Sequence, residues 1–269
     1  MADEPVVDRL AEEWASIDAL CDGFTEAQWQ TPTALPGWTV KDCVSHVVGV
    51  ERMLMGDAQP SVDVSHLPHL RDAFAASLET WVEERRSRPG AEVLAEFREQ
   101  IPRRLEHLRT MTTEEFDRPS LSPIGEVPYR DFMAVRVFDC WMHEQDIRRA
   151  LDRPGHLTGP VVDVALERFR AALGYVVGKR AGAPEGSSVV FVTTGGPGIT
   201  FPVVVDGRAR LVEQPPDDPT VRITLPFETF VALGGGRWDA EQARAAGGVA
   251  IEGDIPLGER VLASLAFTP

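Results

Sequence analysis

The hydrophobic repeat of this chain changes once along its length. Up to about residue 150, and again over 161–180, apolar residues recur at helical spacing; beyond residue 187 they alternate. The stretch 151–160, L-D-R-P-G-H-L-T-G-P, is dense in turn-forming residues and marks the division. Such a chain needs two cores, one of helices and one containing a sheet. The expected domains are residues 1–155 and 156–269, and 269 residues have room for both.

In the first part, Val6, Leu10, Trp14, Ile17 and Leu20 form the apolar stripe of a helix over 6–23. A loop punctuated by Pro32, Pro36 and Gly37 follows. A second helix starts at Thr39, where Thr39 and Asp42 fit a capping box. Val40, Val44, Val47 and Met55 mark its buried side, and His46 lies near that stripe. Residues 57–69 read as a polar linker. A third helical region, 70–109, breaks at Pro89-Gly90, and its inner face includes Phe74, Leu78, Val82 and Phe97. Residues 110–128, with three prolines, read as loop, and a fourth helix covers 129–151. Four helices joined by loops make a four-helix bundle. In the second part a helix over 161–180 precedes four short strands, S-S-V-V-F-V-T-T, I-T-F-P-V-V-V, A-R-L-V-E and T-V-R-I-T-L. Asp206-Gly207 signals a hairpin between the second and third. The expected fold class is therefore α plus α+β: a four-helix bundle, then a small, mainly antiparallel α+β domain.

Composition narrows the function classes. A net charge of -15 argues against nucleic acid and anionic membrane as partners. No apolar run approaches the roughly 18 residues that span a bilayer. Three cysteines without C-x-x-C spacing fit a reducing cytoplasm better than a disulfide framework. Of 27 basic residues only Lys41 and Lys179 are lysine, a bias expected of a GC-rich genome.

Chemistry concentrates in V-R-V-F-D-C-W-M-H-E-Q-D-I-R-R-A-L, residues 135–151. Asp139 and His143 stand four residues apart and project from one helical face. A carboxylate and an imidazole so placed can share a metal ion, and Zn2+ accepts the mixture. His46 is the candidate third ligand; three protein ligands leave a position for water or substrate. His143 can instead pair with Asp146, or Asp146 can orient its ring. Arg136 is placed to pair with Asp139 or to bind an anion beside the metal. Cys43, three residues before His46, is either a ligand or nucleophile, or a small buried hydrophobe. Glu144 and Arg148 read as an exposed ion pair, and His66, His69, His107 and His156 as linker or surface residues.

L-P-G-W-T-V-K-D-C-V-S-H-V-V, residues 35–48, resembles the motif that opens the second helix of the mycothiol-dependent maleylpyruvate isomerase family, within the DinB-like metalloenzyme bundles. V-F-D-C-W-M-H-E-Q-D-I-R resembles its last-helix motif. F-E-T-F-V-A-L-G-G-G-R-W and G-G-V-A-I-E-G-D-I-P-L-G-E-R-V-L-A are similar to its second, sterol-carrier-like α+β domain. The resemblance implies a divalent metal, usually Zn2+, on His46, Asp139 and His143, with mycothiol as co-substrate attacking a small electrophile. It also implies that Arg237, in G-G-G-R-W, clamps a carboxylate of substrate or thiol in the cleft between domains; otherwise Arg237 is a surface arginine after a glycine turn. The family's acidic ligand is Glu, whereas this chain has Asp139, one methylene shorter.

The expected function is metal-dependent thiol transfer or thiol-assisted isomerisation by a cytoplasmic monomer or homodimer, with Arg237 and Arg136 holding an acidic substrate. Two other classes stay open: a non-catalytic small-molecule-binding protein, which needs no metal, and a metal-dependent hydrolase, which consumes no thiol.

Overall fold

The computed structural model describes residues 4–268. It divides after His156 into two compact units.

The first unit is a helical bundle. Its long helices are α1 (Pro5–Cys21), α3 (Val40–Leu54), α5 (Gly90–Thr110) and α7 (Tyr129–Ala150); the short helices are α2 (Glu26–Trp29), α4 (Ala73–Glu83) and α6 (Thr113–Asp117). Proline at the first helical position starts α1, where its missing N–H costs nothing. Val7, Leu10, Trp14, Ile17 and Cys21 are its buried stripe, so Val7 and not Val6 faces the core. The Asp42 carboxylate accepts from the backbone N–H and the hydroxyl of Thr39, at 2.8 and 2.9 Å, and starts α3 as the sequence implies. Helix α3 packs against α4, α5 and α7, and α1 against α5 and α7. The approach to α4 depends on Gly49, where a Cβ would lie 2.4 Å from Cβ of Trp81.

Two further expectations for this unit fail for physical reasons. Phe74 is 56% exposed, because α4 turns Trp81 and Val82 inward and leaves its first turn outside. Residues 110–128 are not only loop: they hold α6 and the hairpin β1 (Pro119–Ser122) and β2 (Gly125–Pro128). The prolines that argued for loop sit at the paired strand ends, Pro119 opposite Pro128, and in the turn at Pro123, places where a missing N–H is tolerated. The break expected at Pro89-Gly90 is present: α4 ends at Glu83 and α5 starts at Gly90.

The second unit is α+β. Helix α8 (Pro160–Tyr175) ends in one π-helical turn, Val176–Arg180. The strands are β3 (Ser188–Thr194), β4 (Thr200–Asp206), β5 (Arg208–Leu211), β6 (Val221–Pro226) and β7 (Ala250–Gly253), in the order β5-β4-β3-β6-β7. Only β3 and β6 pair in parallel. The Asp206-Gly207 hairpin forms as expected, with Asp206 opposite Arg208. Helices α9 (Phe227–Gly234), α10 (Ala240–Ala246) and α11 (Ile255–Ala263) complete the unit. Phe230 of α9 is the centre of its core, stacked on Phe201 at 5.4 Å and tilted against Phe169 at 5.2 Å. The expected class, a helical bundle followed by an α+β domain, is the observed one. Among the described residues no helix is long and apolar enough to cross a membrane.

Candidate metal centre

Helices α3 and α7 bring His46, Asp139 and His143 together. One donor atom of each lies within 4.8 Å of the other two. His46 Nε2 is 3.2 Å from Asp139 Oδ2, and His143 Nε2 is 3.7 Å from Asp139 Oδ1. The imidazoles meet edge to face, with ring centres 4.7 Å apart. Both are almost wholly buried, while the Asp139 side chain keeps 31% of its surface. The shorter carboxylate therefore still reaches both histidines, and the site opens on the aspartate side.

The preceding loop supplies a wall. Leu35-Pro36-Gly37-Trp38 is a tight turn, with Trp38 N–H donating to the Leu35 carbonyl at 3.1 Å. Proline second and glycine third, with Gly37 at φ +76°, are what a type II turn requires. The turn lays the Trp38 indole 5.2 Å from the His46 ring and 5.5 Å from the His143 ring. Its Nε1 donates to Glu79 at 3.0 Å, which fixes the indole from behind.

The donor set fits a divalent cation. Two imidazoles aim Nε2 at a single carboxylate, and Nδ1 of His46 is buried without a hydrogen-bond partner. Nδ1 of His143 faces Asp146 Oδ2 at 3.3 Å, so Asp146 stands where a carboxylate fixes the ring and its tautomer. Burial pulls the His46 imidazole below its usual range despite the opposing charge of Asp139. This favours the neutral form, the one that ligates. Burial works to raise the Asp139 carboxyl, but Arg136 and His46 outweigh it and hold the group well below the ordinary carboxylate range.

Of the two parts open to Arg136, the structure has it pairing with the carboxylate. Its guanidinium donates to Asp139 and, from Nη2, lies 2.8 Å from Glu51. Glu51 is fully buried and also accepts from Arg104 Nε at 2.9 Å; Arg104 in turn donates to the Tyr129 hydroxyl. This chain of buried charge behind Asp139 is invisible in the sequence, where Glu51 reads as an ordinary polar residue of α3. Cys43 is buried, and its sulfur belongs to a second possible donor set with His143 and Asp146. Arg237 lies in the second unit, partly buried, with Nη1 donating to the Gly235 carbonyl at 2.6 Å.

Two sequence readings are corrected. Glu144 and Arg148 do pair, at 2.7 Å, but Glu144 is fully buried, not exposed. His156 is not a plain surface residue: its Nδ1 lies 2.6 Å from Glu144 and 3.5 Å from the equally buried Glu13. His66 and His107 remain without an assigned part, and His69 lies 3.4 Å from Glu79.

Comparison with known proteins bears on both units. Residues 10–148 match the family model of the mycothiol maleylpyruvate isomerase N-terminal domain, and residues 163–260 match that of the MDMPI C-terminal domain. Among solved structures, one described as the mycothiol-dependent maleylpyruvate isomerase superposes with a TM-score of 0.57. A histidine-to-alanine mutant described under the same name gives 0.58. Each is 15% identical in sequence, and the alignments cover 94% of this chain and 93% of the other. At that identity the likeness establishes a shared fold. No curated protein sequence matches the chain.

Proposed function

The chain belongs to the mycothiol maleylpyruvate isomerase family, and we propose that it is a metal-dependent enzyme that uses a low-molecular-weight thiol, mycothiol, on a small electrophilic substrate. The reaction is thiol transfer or thiol-assisted isomerisation of the kind named for its structural relatives. One observation carries this reading: two buried imidazoles direct Nε2 at one ionised carboxylate, at a site that opens on the carboxylate side.

His46, Asp139 and His143 would hold the ion, which in such donor sets lets a thiol react as thiolate near neutral pH. The surrounding residues have separate parts. Asp146 holds the His143 ring so that Nε2 points inward. Arg136, anchored by Glu51, fixes the Asp139 carboxylate and keeps it ionised. Trp38 covers both imidazole rings and keeps water from that side. Arg237 is our candidate for holding a carboxylate of the thiol or substrate, on the strength of its place in the family motif G-G-G-R-W.

The test is metal content by mass spectrometry of the wild type, His46→Ala and His143→Ala, followed by turnover of an electrophile with and without mycothiol. The expected result is an equivalent of metal that both substitutions remove, and turnover that requires the thiol. Metal that neither substitution disturbs would overturn the assignment of ligands, and turnover without thiol would move the protein to the hydrolases.

A further inference from the structure

The helical unit carries a second convergence of ligating side chains. Glu13 of α1, Glu144 of α7 and His156, just beyond α7, place one donor atom each within 4.8 Å of the others. His156 Nδ1 lies 2.6 Å from Glu144 Oε2 and 3.5 Å from Glu13 Oε2. Ligands around a four-coordinate ion with bonds of ~2.0–2.1 Å stand about 3.3 Å apart, so these separations bracket what a small cation needs. Glu144 follows His143 directly in sequence and points about 100° further round the helix. The two donor sets therefore face different ways.

What sets this group apart is Glu13. Its side chain is fully buried, and neither carboxylate oxygen has a hydrogen-bond donor. Glu144 is differently placed. Its Oε1 accepts from Ser16 Oγ at 2.6 Å and from Arg148 Nε at 2.8 Å, which fixes the carboxylate and leaves Oε2 turned to His156. Arg148 pairs with Glu144 and not with Glu13. Two buried carboxylates so close resist ionising together, and a bound cation offsets their charge while using all three donors. His156 is held ready for the part. Its backbone is left-handed, at φ +52°, and its carbonyl accepts from Trp141 Nε1 at 2.9 Å, which keeps the ring turned toward the carboxylates. Its side chain is 13% exposed, the one edge at which the group meets solvent.

We propose that Glu13, Glu144 and His156 form a second divalent-cation site, of the mixed carboxylate–imidazole type that takes Zn2+ or Mn2+. The site is independent of the thiol chemistry, and its fate does not depend on that reading.

The experiment removes the first site and asks what remains. The double variant His46→Ala/His143→Ala is incubated with Zn2+ or with Mn2+, and bound metal is measured by titration calorimetry and mass spectrometry, with circular dichroism as the check on folding. One equivalent is expected to remain. Adding Glu13→Gln, or His156→Asn (Asn tolerates the left-handed backbone), should weaken it by more than the roughly tenfold that loss of an outer partner costs. Should the double variant not fold, the same two substitutions in the otherwise wild-type chain are the measure, each expected to lower its metal content by one equivalent. A folded double variant that binds neither ion, or metal content indifferent to both Glu13→Gln and His156→Asn, overturns the proposal; the buried carboxylates would then be sharing a proton.

Discussion

Glu51 illustrates how a single residue can matter without touching a ligand. It is wholly buried and accepts from both Arg104 and Arg136. Glu51→Gln would leave two guanidiniums underpaired in the interior, and loss of one partner from a buried pair costs about 3–5 kcal/mol. A drop of that size in unfolding free energy by urea titration is the expected outcome; a change within ~0.5 kcal/mol, typical of surface substitutions, would refute the account. The cysteines supply a second prediction. Cys21, Cys43 and Cys140 are all fully buried, and burial pushes the Cys21 thiol well above its usual range. A colorimetric thiol reagent should find none in the native protein and all three in denaturant. At this scale the sequence was uneven. Asp139 and His143 are legible because an i, i+4 pair on a helix without proline or glycine has only one geometry. Glu13, Glu51 and Glu144 are not, because a glutamate on an amphipathic helix looks the same whether an arginine reaches it in the core or water does outside.

Among the elements, the junction of α3 with α4 and α5 carries two measurable consequences. Gly49 lets α4 approach so closely that any Cβ must displace Trp81. Gly49→Ala should therefore destabilise by about 1–3 kcal/mol, as overpacking does, although alanine is the better helix former. An increase in stability would show that the contact is loose. Glu96 of α5 accepts from Arg85 Nε at 3.0 Å and Arg88 Nη1 at 2.6 Å and lies 3.1 Å from Arg52, so it ties α5 to α3 and to the end of α4. Burial works to raise its carboxyl, but Arg85 and Arg88 prevail and hold it below its ordinary value, which is about 4.3. The folded pKa is the lower one, so this stabilisation is complete above the unfolded value and is lost as pH falls through the folded value. The stability difference between wild type and Glu96→Gln should be largest near pH 7 and shrink below about pH 4; a difference that persists in acid would contradict this. Long periodic helices, the hairpin at Asp206-Gly207 and the Thr39 cap were readable in advance. The hairpin at 119–128 was not, since its prolines resemble loop punctuation unless the pairing of Pro119 with Pro128 is known. Strand β7 escaped because four residues are too few to display a period of two and, unlike the equally short β5, it follows no hairpin turn; it is defined by pairing with β6.

On the scale of the molecule, each unit has a core of its own: Leu10, Trp14, Val47, Phe97 and Trp141 in the first, Phe169, Phe191, Phe201 and Phe230 in the second. Residues 1–156 expressed alone should unfold cooperatively with a helical far-ultraviolet spectrum, and residues 157–269 should do so with a mixed one; a fragment without a cooperative transition would show that its core is incomplete. The change of hydrophobic repeat is itself legible in the sequence, because a period is a property of many residues at once. The Trp38 indole, held by its turn and by Glu79, lies against both imidazoles of the candidate metal centre. The protein thus carries its own optical reporter. The emission lost in Trp38→Phe belongs to a fluorophore whose ring centre lies 5.2 and 5.5 Å from those of the two imidazoles, so its intensity should follow a cation added to the candidate centre in real time, without a label and without a substrate.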